Sequence, residues 1–257
     1  MSAQLLHNEN TFAHNTNIKS LFQESVIGEL LLNKTSSTAS AQSVRSVKAF
    51  LDQKKSQIFI KRVFDITVSS LLIIFLSPIL IITALLVRLS SRGPILYSND
   101  RVGYKGVNFR CFKFRSMITD QSAKKNDYEI AMAGQEKGVL HKVKNDARIT
   151  GIGKIIRKTS IDELPQLFNV LKGDMSIIGP RPLVPFMLAH LSEFKEIRCF
   201  VRPGITGLWQ IRDRVNNTSA EFMIEHDTEY IKNYSLLLDL EILIKTPFVV
   251  ISGEGAY

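Results

Sequence analysis

The stretch Ile66–Val87, ITVSSLLIIFLSPILIITALLV, runs for 22 residues without a charge, and the rest of the chain is read outward from it. As a straight helix at about 1.5 Å per residue it reaches roughly 33 Å, enough to cross the hydrocarbon core of a bilayer. Two features argue against a simple span. Pro78, near the middle, removes a backbone donor, and its ring collides with the carbonyl four residues back, so a break is expected there. Ser77 precedes it with a hydroxyl that can satisfy a freed carbonyl, which makes the break tolerable in lipid. Lys54, Lys55, Lys61 and Arg62 flank one side; Arg88, Arg92, Arg101 and Lys105 flank the other. Positive charge favours the cytoplasmic face. A spanning helix exports one of these clusters, whereas a helix–break–helix that enters and leaves by the same face exports neither. The expectation is a re-entrant anchor over residues 58–92, with a true span as the competing reading.

Residues 1–57 contrast with this segment. Asn33–Ser43 is polar, small and aperiodic, as a flexible linker is, and neither basic residues nor a long apolar run mark a secretory signal near Met1. A poorly ordered N-terminal tail is expected. Residues 93–257 read as a compact, helix-rich domain with short strands, so the fold class is α+β. Pro94–Tyr97 and Phe109–Phe114 have strand character around the turn residues Gly103 and Gly106. Gln121–Lys144 is polar and reads as a loop with a short helix. Helical patterns cover Ile152–Ile156, Asp162–Leu171, Pro185–Arg198 and Ala220–Tyr234, with a short apolar run at Ser176–Gly179.

The 257 residues carry 33 Lys+Arg against 24 Asp+Glu, a formal charge of +9. With 45% hydrophobic and 22% charged residues, a wholly disordered or collagen-like chain is excluded. Two cysteines, Cys111 and Cys199, exclude a disulfide scaffold and a four-cysteine zinc site and read as buried thiols. The basic balance suits anionic partners, and one alternative is a membrane-associated scaffold or nucleic-acid-binding protein. Against it stands the placement of a rigid arginine near an exposed acidic pair.

Three clusters could carry chemistry. In Arg157–Gln166, RKTSIDELPQ, Ser160 and Glu163 have the spacing of a capping box, the commonplace start of a helix. The same position gives Asp162 and Glu163 a second use, because a carboxylate at a helix N-terminus stays ionised and the free N–H groups there attract phosphate. One carboxylate could then attack phosphorus while the other holds a cation. In Gly173–Pro182, GDMSIIGPRP, a strand-like run ends in a stiff turn where Pro180 and Pro182 aim Arg181, a bidentate binder of phosphate oxygens. Arg202–Gln210, RPGITGLWQ, suits either a phosphate-contacting loop or a turn beside a core tryptophan. Lys113 and Arg115 read as anion ligands or surface charges.

Together, Ser77-Pro78 in an apolar hairpin, Lys113–Met117, Asp162–Gln166, Gly179–Pro182 and Arg202–Gly207 resemble the bacterial sugar transferases, the monotopic polyprenyl-phosphate phosphoglycosyl transferases, over about residues 58–257. The resemblance is to the short form, without an N-terminal four-helix membrane region. It implies transfer of a sugar 1-phosphate from a UDP-sugar to undecaprenyl phosphate with release of UMP, at the cytoplasmic face of the bacterial inner membrane, as the first step of exopolysaccharide, capsule, O-antigen or related glycan synthesis. It implies Asp162 as nucleophile, through a covalent aspartyl-phosphosugar, with Glu163 assisting and associated with Mg²⁺. Arg181, Arg157, Lys113, Arg115 and Arg202 become substrate- or phosphate-binding positions, and Asp227 a later acidic one. The implied partners are the UDP-sugar, undecaprenyl phosphate and inner-membrane lipid, with no nucleic acid; homo-oligomer formation is left open. Where the family often has Gly-Arg after the position of Gln210, this chain has Arg212-Asp213-Arg214, which bears on sugar recognition.

Overall fold

A computed structural model describes residues 37–118, 146, 148–188, 191–212 and 220–252. Helix α1 (Ser37–Gln53) is followed by the long helix α2 (Lys55–Ser90). Strands β1 (Leu96–Val102) and β2 (Asn108–Phe114) then form an antiparallel hairpin. Its turn carries a 3₁₀ segment, Tyr104–Gly106, in which Lys105 and Gly106 both have positive φ. Helix α3 (Gly151–Lys158), a 3₁₀ turn (Ile161–Glu163) and α4 (Gln166–Lys172) lead to β3 (Ser176–Ile178). A 3₁₀ turn (Pro185–Leu188), α5 (Ser192–Arg198), β4 (Gly204–Thr206), α6 (Leu208–Arg212), α7 (Ala220–Lys232) and α8 (Leu236–Ser252) complete the described chain. β3 and β4 pair in parallel, Ser176 beside Gly204 and Ile178 beside Thr206. The α+β class is as expected; the expected loop at 121–144 lies outside the described residues.

The tail expected over residues 1–57 reaches too far. From Ser37 the chain is helical, and Val44, Val47 and Leu51 are buried in the main core with Val170, Ile197, Tyr230 and Ile231. Their 3- and 4-residue spacing puts them on one helix face. The small polar residues before them hid that stripe. Two expected helices are also broken. Pro165 sits at the start of a helix, where a missing N–H costs least, and the segment from Asp162 splits into the 3₁₀ turn and α4. The segment from Pro185 resolves into a 3₁₀ turn and α5.

Among the described residues α2 is the one helix long and apolar enough to cross a membrane, and only 11% of its most apolar window is buried, unlike a core helix. Its buried residues are Asp65, Ser69, Thr83 and Val87, so polar groups face protein while Phe59, Ile74, Phe75, Ile82 and Leu89 face outward. The expected break is milder than a helix–break–helix: the helix continues through Pro78. The acceptor left without a partner, the Ile74 carbonyl, takes the Ser77 hydroxyl at 2.8 Å, which removes the need to unwind.

Both flanks of α2 dock on the same globular body. At the N-terminal end Lys61 pairs with Asp239 at 2.8 Å, and Arg62 donates to the last carbonyls of α4, Val170 and Leu171. The Asp65 carboxylate accepts from the Ser176 hydroxyl and the Ile177 N–H. At the other end Val87 packs with Phe114 and Ile156, and Arg115 donates to the Val87 and Ser91 carbonyls. Lys61 and Arg62, expected as lipid-facing charges, instead pin the helix to the domain.

Candidate active site

Lys113 lies near the end of β2, and the hairpin register pairs Tyr97 with Lys113, Asn99 with Cys111 and Arg101 with Phe109. Residues opposite one another and two apart share a face. Arg101 therefore stands on the same face as Cys111 and Lys113, and these three line a cleft with Glu163, Gln166 and Arg181; Pro182 and Ile205 close it. Lys113 Nζ is 2.6 Å from Glu163 Oε1 and 4.0 Å from Asp162 Oδ2, and Arg181 Nη2 is 3.8 Å from Glu163 Oε1. The Arg181 guanidinium also lies over the Trp209 ring, 5.5 Å from its centroid.

The capping box does not form. Ser160 has a left-handed backbone, φ 56°, and its side chain caps nothing; only its carbonyl takes the Glu163 N–H. Glu163 is thereby released toward Lys113 and Arg181. Asp162, expected at an exposed helix start, is instead 7% exposed. Burial pushes its carboxyl up to about 6, with Lys113 pulling downward, Glu163 upward, and Arg157 and Arg181 downward. Three of the expected cations thus act on this acidic pair. Asp162 and Glu163 are the acidic groups available to a cation, and among the described residues no three metal-ligating side chains gather. Two adjacent carboxylates fit Mg²⁺ that keeps waters and shares its coordination with substrate phosphates, not a closed protein cage.

The remaining expected positions lie elsewhere. Arg202 donates to the Gly173 carbonyl and stacks over Tyr104, closing the end of α4. Arg115 is 5% exposed and holds the end of α2. Asp227 is 1% exposed on α7, facing Arg198 at 3.6 Å; burial pushes its carboxyl up to about 6 against the Arg198 charge. It does not line the cleft. Cys111 and Cys199 are buried thiols as expected, and burial pushes both up in pKa.

The Arg202–Gly207 segment is the bed on which the Arg181 turn rests. Ser176 N–H donates to Pro203 O, Gly179 N–H to Thr206 O and Gly204 N–H to Pro180 O. A Cβ on Gly204 would fall 2.1 Å from Gly179 N, and one on Gly207 2.3 Å from Gly179 O. Both motifs therefore need glycine for backbone-to-backbone contact. Sequence reading missed Arg101, counted only as a flanking charge; strand alternation identifies it once the register with β2 is known.

Residues 56–253 match the family described as bacterial sugar transferase. The undecaprenyl-phosphate galactose phosphotransferase of Salmonella typhimurium is 46% identical over 209 residues, 79% of this chain and 43% of that protein. The UDP-glucose:undecaprenyl-phosphate glucose-1-phosphate transferase of Klebsiella pneumoniae is 40% identical over 207 residues, covering 77% of this chain and 41% of its own length. This chain therefore spans about two fifths of these two relatives. The exopolysaccharide production protein ExoY of Sinorhizobium fredii is 40% identical over 199 residues, 77% of this chain and 88% of the relative. Matched over most of its length and aligned with nearly the whole of ExoY, the chain belongs to the bacterial sugar transferase family.

Proposed function

We propose that this protein transfers a sugar 1-phosphate from a UDP-sugar to undecaprenyl phosphate, releasing UMP, at the membrane surface of a glycan-producing bacterium. The observation that carries the reading is a cleft lined by Glu163, Lys113 and Arg181, with Asp162, which does not itself line it, 4.0 Å from Lys113 Nζ, the whole joined to an apolar helix by packing. Ile161, next to Asp162, packs with Val87, Phe114 and Ile156, and Leu80 and Ala84 of α2 join that cluster. An acidic nucleophile set there meets a lipid phosphate without drawing it out of the bilayer.

Several observations support a re-entrant anchor. Both flanks of α2 hold the same body, so a spanning helix would have to abandon either the Asp65 and Arg62 contacts or those of Val87. Helix α8 presents Leu237, Leu240, Ile244 and Phe248, all exposed and on one side, as a second surface suited to the acyl boundary.

In the first step the Asp162 carboxylate attacks the sugar-bearing phosphorus and the bond to UMP breaks, giving an aspartyl phosphosugar. The lipid phosphate then displaces Asp162. Lys113 and Arg181 face the charge that develops on the transferring group, as cationic clamps do in other phosphoryl transfers. Arg157 adds positive potential behind Asp162. Glu163 would hold Mg²⁺, which when bound screens the donor diphosphate from the attacking anion.

The test is UMP release from a panel of UDP-sugars with undecaprenyl phosphate and Mg²⁺. Wild type is expected to release UMP and form an acid-stable phosphosugar adduct; Asp162→Asn is expected to do neither, a loss of at least a thousandfold. Full turnover by Asp162→Asn overturns the nucleophile assignment. Tight nucleic-acid binding with no UMP release would favour the scaffold alternative.

A further inference from the structure

The segment Pro180–Leu183 has each of its four carbonyls occupied. Pro180 O accepts from Gly204 N–H at 2.9 Å, Arg181 O from the Arg198 guanidinium, Pro182 O from Arg101 Nη1 at 3.0 Å, and Leu183 O from Val102 N–H at 2.9 Å. Pro180 and Pro182 have no N–H to place. Arg198 thus takes the carbonyl of Arg181, and Asp227 faces Arg198 at 3.6 Å, the two residues being 4% and 1% exposed.

Such a pair is a poor choice for stability alone. Each buried ion loses several kcal/mol of hydration, and apolar side chains of similar volume commonly hold two helices together as well or better. Apolar side chains, however, cannot donate to the Arg181 carbonyl, and a buried guanidinium that does so needs a counter-charge, which Asp227 supplies. Neither Arg198 nor Asp227 lines the cleft, whereas Arg181 does.

We propose that Arg198 and Asp227 are positioning residues, Arg198 fixing the Arg181 backbone at its carbonyl and Asp227 holding Arg198 in place, so that the Arg181 guanidinium is held between Glu163 and the Trp209 ring. The proposal rests on the reading of Arg181 as the group that meets the transferring phosphate, and it places Asp227 behind the site instead of on the substrate. Preorganised donors stabilise developing charge without reorganising. A side chain displaced by even about 1 Å forfeits much of that effect.

The test compares wild type with Asp227→Asn and Arg198→Lys, full-length, in detergent and after thermal-melt confirmation of folding. Phenylglyoxal modification of Arg181 is followed by mass spectrometry, with exposed Arg110 as internal reference. Both variants are expected to label Arg181 at least threefold faster at an unchanged Arg110 rate. In the UMP-release assay each is expected to lose at least tenfold in kcat/KM with Arg181 present, and twofold or less in an Arg181→Ala background. Unchanged Arg181 labelling, or the same fold-loss in both backgrounds, overturns the proposal. If Asp227→Asn does not fold, Arg198→Lys decides it. Labelling reads the resting protein, so it stands even if no UDP-sugar is turned over. That failure would count against the transferase reading alone.

Discussion

Asp162 must serve two opposed needs. As the proposed nucleophile it has to be ionised, yet the 3₁₀ turn between α3 and α4 buries it, and burial disfavours its charge. With a pKa of about 6 it is roughly nine-tenths ionised at pH 7 and more nucleophilic than an ordinary carboxylate. The acid limb of kcat/KM is therefore expected near pH 6, falling about tenfold per unit below it; activity held level down to pH 5 would refute this. The same shift costs stability. The folded-state pKa lies above the unfolded one, so Asp162 destabilises the fold fully above pH 6 and not at all below about 4. Asp162→Asn, predicted above to be inactive, is accordingly expected to raise the melting temperature by several degrees at pH 7.5, reflecting on the order of 1–3 kcal/mol. The gain should vanish at pH 4, and melts that show no gain at pH 7.5 would contradict the burial argument.

Helices and turns set those residues in place, and here the sequence was legible in part. The strand character of Phe109–Phe114 and the apolar run of α2 follow from local rules about alternation and charge-free length, and both are found. The partner of Glu163 was not legible: a box spacing of three residues says nothing of Lys113, fifty positions away. Nor could the motif at 202–207 show that its glycines are needed because β3 and β4 run close enough for backbone to touch backbone. That contact yields a prediction at this scale. Gly204→Ala puts a methyl group 2.1 Å from the Gly179 nitrogen, where only main chain could yield. The turn bearing Arg181 would have to move. A loss on the order of 3 kcal/mol or more is expected, as severe overpacking gives. Gly151→Ala, where nothing lies near the added atom, is the control and should melt within a few degrees of wild type. Equal melting of Gly204→Ala and wild type would disprove the interlock.

Across the whole molecule, α1 and α2 tie the ends of the problem together. Helix α1 lies ahead of the matched family region, yet Val44, Val47 and Leu51 are 8, 4 and 6% exposed in the main core. Burying each such side chain contributes about 1.5–3 kcal/mol, and a domain's net stability is about 5–15 kcal/mol. Deleting residues 1–54 is therefore expected to give protein that aggregates or melts at least 10 °C lower, while Val47→Asp alone should lower melting markedly; a deletion that melts like wild type would show α1 to be dispensable. Helix α2 poses the topological question. Lys61, Arg62 and Asp65 at one end and Val87 at the other all have partners in a single body, and that body carries β3, α4 and α8. On the proposed re-entrant reading that body lies on one side of a membrane, and the contacts at both ends put both ends of α2 on that side. Cysteines introduced at Lys55 and Arg92, in a background lacking Cys111 and Cys199, are expected to resist an impermeant maleimide added outside spheroplasts. Both should react after lysis. Labelling of either one in intact cells would mean that α2 spans the bilayer, and that one set of its packing contacts is not made in the membrane-bound protein.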